Sequence, residues 1–157
     1  MINPSELRIG NVILFGNQPI TVHGVRSNGV MLDGILYNTG DPLHQLEYTL
    51  IDAGDQRLQP LLLEDFLLEQ IFSRYQVNNM GVFTYHGPNN RTYFINREED
   101  GYSIGLFVGG QLIHITPFHF RNYHQLQNIH FAQYGEELDV DYETLRNMWN
   151  LMMGRAR

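Results

Sequence analysis

The sequence predicts an α+β fold, and three observations carry that expectation. Short apolar runs separated by Gly, Asn and Asp turns fill residues 11–36 and recur over 82–116, the signature of antiparallel strands. Apolar residues at helical spacing occupy three other stretches, about 63–74, 121–133 and 142–153. Fifteen glycines, nine tyrosines and nine phenylalanines favour strands and turns over a helical bundle. At 157 residues and 43% hydrophobic, the chain can bury a core as one domain or two small ones.

In order, Asn11–Phe15 reads as a first strand, followed by a Gly16-Asn17-Gln18-Pro19 turn and a second strand over Ile20–Val25. Ser27-Asn28-Gly29 turns the chain into Val30–Leu32, and Asp33-Gly34 starts another turn, because Asn-Gly and Asp-Gly tolerate the positive φ of tight hairpins. Strands this short bury a common face only by curling, so residues 1–55 are expected to form a small SH3-like β-barrel, with a plain meander as the alternative. Residues 37–45 read as a polar loop, Leu46–Asp52 as one more strand, and Ala53–Gln56 as the boundary of the module.

The second module, 56–157, opens with a helix over 63–74 whose Leu63, Phe66, Leu67, Ile71, Phe72 and Tyr75 share a face. Glu64 and Asp65 favour its N-terminal dipole. A four-stranded meander is expected over 82–116: Val82–His86, Arg91–Asn96, Tyr102–Val108 and Gln111–Thr116. Its turns fall at 87–90, at 98–101 and at Gly109-Gly110, and Pro117 ends it. A helix over 121–133 places Tyr123, Leu126, Ile129 and His130 towards the core and stops at Gly135. Asp141 then caps a last helix over 142–153 carrying Tyr142, Leu145, Met148, Trp149 and Met152 on one face.

Composition excludes several chemistries. The chain has no Cys, hence no thiolate nucleophile and no Cys-based zinc site. All ten basic residues are Arg, so a Schiff-base lysine and a phosphate-loop lysine are excluded as well. The net charge of −7 opposes binding to a nucleic-acid backbone, which rests on cationic side chains. MINPSELRIG is polar and turn-like, so no signal peptide is expected, and no run approaches the roughly 18 apolar residues of a membrane span. The expectation is a soluble cytoplasmic protein without a cofactor.

Three constellations are candidates for chemistry. His114, His119, His124 and His130 cluster in the sequence, but their spacings of five, five and six do not share one face as an i, i+4 pair does. Packing and surface roles therefore outweigh a metal site. Glu136, Glu137, Asp139, Asp141 and Glu143 form an acidic run in which Asp139, Asp141 and Glu143 would share a face if extended and hold a hard cation. An exposed acidic edge with an N-cap at Asp141 is the stronger reading. The metal candidates are thus His114, His119, His124, Asp139 and Asp141. Gln125, Gln127 and Asn128 are either partner contacts or amides that satisfy neighbouring backbone, and the structural role is favoured. Ser occurs only at 5, 27, 73 and 103, none in a nucleophile-elbow context, with Ser73 expected in a helix and Ser103 in a strand.

The segment His124-Gln125-Leu126-Gln127-Asn128, with Phe131, Ala132, Gly135, Glu136, Glu137 and Leu138, resembles a family of small uncharacterised proteins carried on prophages and mobile elements of Bacteroides-type bacteria. Glu6-Leu7-Arg8-Ile9-Gly10-Asn11 at the start, and Pro60-Leu61 before an acidic leucine-rich helix, resemble the same family, so the likeness spans most of the chain. Two places depart from it: Leu63 stands where Thr precedes the acids, and Gln133-Tyr134 stands where Leu-Thr precedes the glycine. The resemblance implies a mobile-element accessory protein and carries over no catalytic residue. Function is therefore expected to be binding, through a protein partner or self-association. A metal-dependent hydrolase or nuclease using the His and Asp residues is the alternative, and a nucleic-acid binder through the SH3-like module the third.

Overall fold

The computed structural model describes residues 2–16, 18–32, 49–71, 73–77, 80–86, 92–108, 111–114, 116, 119–138, 142–152 and 154. The turns expected at 33–34, 87–90 and 109–110, the loop at 37–45 and the cap at Asp141 lie outside them. The fold is α+β, with two five-stranded antiparallel sheets and three helices among the described residues.

The first sheet comprises β1 (Val12–Phe15), β2 (Gln18–Arg26), β3 (Gly29–Leu32), β4 (Thr49–Asp52) and β5 (Leu58–Gln59), in the order β4-β3-β2-β1-β5. β2 pairs with β1 through Gln18–Thr21 and with β3 from Val22 onward, with a register shift between Val22 and Gly24. One long strand thus serves two ladders and bends between them, which is how short strands curl round a common core. The expected hairpin forms with Ser27-Asn28 as its turn: Gly29 already pairs with Arg26, and Val30 with Val25. β5 is the one strand of this sheet that the sequence does not announce. It follows the turn at 53–57 and returns to β1, so the sheet reaches past the break seen at 53–56.

α1 (Asp65–Ile71) begins as expected, and the carboxylate of Asp65 accepts hydrogen bonds from the Tyr102 hydroxyl at 2.8 Å and from Arg97 at 2.8 Å. It is shorter than the spacing predicts. Residues 73–74, expected to finish the helix, instead open β6 (Ser73–Val77), so Ser73 is a strand residue and the second sheet has five strands rather than four. Ser-Arg-Tyr-Gln-Val alternates in type and finds a full ladder on its neighbour, and that pairing outweighs a marginal helical period. β6, β7 (Met80–His86), β8 (Thr92–Glu98), β9 (Gly101–Val108) and β10 (Gln111–His114) form a sequential meander. Tyr93 and Ile95 on β8 and Tyr102 and Ile104 on β9 are buried on the face that meets the helices.

α2 (Tyr123–Tyr134) and α3 (Tyr142–Met152) close the structure. Gly135 ends α2 in the left-handed region at φ 72°, its N–H bonded to the Phe131 carbonyl, as a Gly stop requires. At the other end the Gln125 side chain accepts from the backbone N–H groups of Arg121 and Asn122, at 3.0 and 3.1 Å. Gly101, after the 98–100 turn, has φ 151°, and a Cβ there would stand 2.7 Å from the Phe120 carbonyl oxygen. Gly101→Ala is expected to lower the unfolding free energy by about 2 kcal/mol, measured by urea titration, since both the backbone region and the contact exclude a methyl group.

Two cores result. One lies inside the curled sheet and contains Ile2, Leu7, Ile13, Ile20, Val22, Val30, Leu32, Ile51 and Leu58. The other joins the second sheet, the segment Leu61–Leu63 and the three helices, and it includes Val12 and Leu14. Because successive strand residues point to opposite faces, β1 sends Ile13 into one core and its neighbours into the other.

Candidate functional site

The polar residues of the 6–11 and 124–138 segments meet in one seam. Gln127 on α2 is 4% exposed, and its side-chain amide receives the Val12 N–H at 2.9 Å and donates to the Gly10 carbonyl at 3.1 Å. Asn128 donates to the Glu6 carbonyl at 2.7 Å and accepts from the Asn11 amide at 2.9 Å, while Asn11 itself accepts from the Arg8 N–H. Arg8 forms a two-pronged pair with Glu137 at 2.5 and 2.7 Å and places its guanidinium 4.1 Å from the centre of the Phe131 ring. That guanidinium is the first cause holding the Glu137 carboxyl below its usual range. All these partners are backbone or neighbouring side chains, so the structural reading of Gln125, Gln127 and Asn128 holds. Gln127 lies inside the protein because α2 buries a second side against β1 and the segment before it.

Arg8→Met keeps an apolar stem over Phe131 and removes the ion pair, whose Glu137 partner is half exposed. The expected loss is about 1 kcal/mol in dilute buffer, shrinking at molar salt; an equal loss at both salt concentrations would contradict the electrostatic account.

A second constellation lies on the strands. Asn96 Nδ2 and Ser103 Oγ both donate to Glu98 Oε1, at 2.9 and 2.7 Å, and His114 Nδ1 lies 3.1 Å from Ser103 Oγ and 3.9 Å from Glu98 Oε1. Hydrogen bonding from Ser103 is the main cause holding the Glu98 carboxyl below its usual range, and His114 and His119 add favourable charge. Serine, histidine and glutamate are all present, but in the wrong order for nucleophilic catalysis. The hydroxyl stands between base and acid and gives its proton to the acid, whereas an activated serine gives it to the imidazole. Ser103 is also 1% exposed. At the adjoining turn His119 pairs with Asp100, whose backbone carbonyl accepts from Arg121 Nε; the His119 bond is the first cause lowering the Asp100 pKa.

The metal candidates therefore divide. His114 on β10 lies beside Glu98 and His119 pairs with Asp100 at the adjoining turn, whereas His124 is fully buried on α2, and Asp139 and Asp141 lie outside the described residues. Among the described residues no group of three or more His, Asp or Glu side chains is arranged to hold a metal ion. Glu136, Glu137 and Glu143 are exposed, in keeping with an acidic surface. The Ser103–Glu98–His114 contact is absent from the sequence reading, although its signal was present. The antiparallel register of β10 on β9 puts His114 opposite Gly105, and Ser103 is the next residue on that face.

Among the described residues no helix is long and apolar enough to cross a membrane. Compared with family models, with curated proteins and with solved structures, the chain matches none.

Proposed function

We propose that the protein is a non-enzymatic interaction module, an accessory protein of a mobile element acting in the cytoplasm, which binds an extended segment of a partner protein along β10. The observation that carries this reading is the state of that edge. An edge strand offers unpaired backbone groups to any extended chain, and proteins usually blunt such edges with charge, with Pro or with brevity. Among the described edges β4 ends in Asp52, β6 contains Arg74 and β5 has two residues. β10, Gln111-Leu112-Ile113-His114, is as short as β4 but carries no Asp, Glu, Arg or Pro, and Ile113 is 48% exposed. No described strand pairs with it on the side away from β9. The strand order of the first sheet, its two ladders sharing β2, and the turn at 53–57 before β5 support an SH3-like barrel as the platform beside it.

Panning a random linear peptide library tests the proposal. Enriched peptides are expected to protect the amides of 111–114 from hydrogen exchange, and Ile113→Arg is expected to abolish binding with little change in thermal midpoint. Peptides that protect another surface, or a library that yields none together with a chain that stays monomeric at high concentration, would overturn it. The hydrolase reading draws on His114 and His119 beside Glu98; a thermal shift with Mn²⁺ or Zn²⁺ that His114→Ala removes would favour it.

A further inference from the structure

His124 is a buried titratable group that takes part in neither the hydrogen bonds of the seam nor the strand cluster. Its side chain is 1% exposed, and among the described residues neither ring nitrogen has a hydrogen-bond partner. It sits on α2 three residues before Gln127 and four before Asn128, the two amides that pin the N-terminal segment. Across the seam, the only described carboxylate within 4 Å is that of Glu6, with Oε2 3.9 Å from Nε2 and the side chain half exposed. The other charged or titratable groups of the two segments are Arg8 and Glu137, which hold each other, His130 and Tyr134 on the same helix, and exposed Glu136 just beyond it.

We propose that His124 is a proton-operated latch: the neutral imidazole lets the 310 turn at Pro4–Glu6 and the start of β1 lie closed on α2, and protonation opens that seam locally. A buried polar group without partners is costly, and a buried cation without partners far more so. Glu6 is too distant for a hydrogen bond and too solvated to offset that cost, while its backbone carbonyl is already held by Asn128. Opening hydrates the imidazolium, which breaks first the Asn128 and Gln127 bonds on either side of it. Burial holds the pKa of His124 down to about 4 from 6.5. The closed seam therefore binds fewer protons than the open one between those values, and closure weakens as pH falls through that window.

The Val12 amide reports the latch directly, since its acceptor is Gln127 Oε1. Residue-resolved hydrogen exchange between pH 7 and pH 5, corrected for the intrinsic rate, is expected to show Val12 protection falling on the order of tenfold. Ile95 and Ile104 in the second sheet are expected to keep theirs. His124→Phe should remove the pH dependence at Val12, and His124→Gln serves if that variant does not fold. In the unsubstituted protein, NMR titration of the His124 ring should give a midpoint well below 6. Three results overturn the latch: Val12 protection unchanged to pH 5, loss of protection throughout the protein together, or a His124 ring that titrates at its ordinary value.

Discussion

Gln127→Leu is expected to destabilise the protein by about 3 kcal/mol, although it puts an apolar side chain of similar volume at a 4%-exposed site. The loss comes from two backbone groups. The Val12 N–H and the Gly10 carbonyl each have the Gln127 amide as partner, and each left buried without one costs about 1–3 kcal/mol. Gln127→Ala adds a cavity and should cost about 4 kcal/mol, lowering the thermal midpoint on the order of 10 °C. Urea denaturation of both variants separates the contributions. A Leu variant as stable as the parent would show that the amide fills space and nothing more.

Phe120→Ala is the second large loss, about 4 kcal/mol. Phe120 is fully exposure-free, packs its ring 6.2 Å from that of Tyr102, and exchanges both backbone hydrogen bonds with Tyr102 at 2.9 Å. It is the point at which the chain leaves the meander and is tied back to it before α2 begins. The backbone bonds survive the substitution, so the cost measures the ring alone. Phe120→Leu should recover more than half of it, and a loss below about 1.5 kcal/mol for the Ala variant would assign the tie to the backbone.

Much of the fold is legible in the residues themselves. Gly135 names its own left-handed stop, and the alternation of Tyr102, Ile104 and Leu106 names the face of β9 that packs into the core. The failures are places where a distant partner decides. Ser73–Val77 is strand because β7 is available to it, and Leu58–Gln59 is strand because β1 has a free side; neither fact is local. The seam was half visible. Gln127 and Asn128 read as amides that satisfy neighbouring backbone, but nothing in the sequence says that the partners lie more than a hundred residues away. The Ser103–Glu98–His114 contact needed only the hairpin register, and was lost because a serine in a strand and a histidine in the next were weighed separately.

The alternation in β1 has a consequence for how the chain is made. Ile13 belongs to a core that residues 2–58 complete, but Val12 and Leu14 face a core built from residues 61–145, and the Val12 amide waits for a side chain 115 positions later. During synthesis, at roughly 5–20 residues per second, the emerging N-terminal sheet holds an apolar stripe with no cover until α2 has left the ribosome. The first half of the chain is therefore a template that the second half finishes. Such long-range closure makes folding slow relative to a bundle of local contacts.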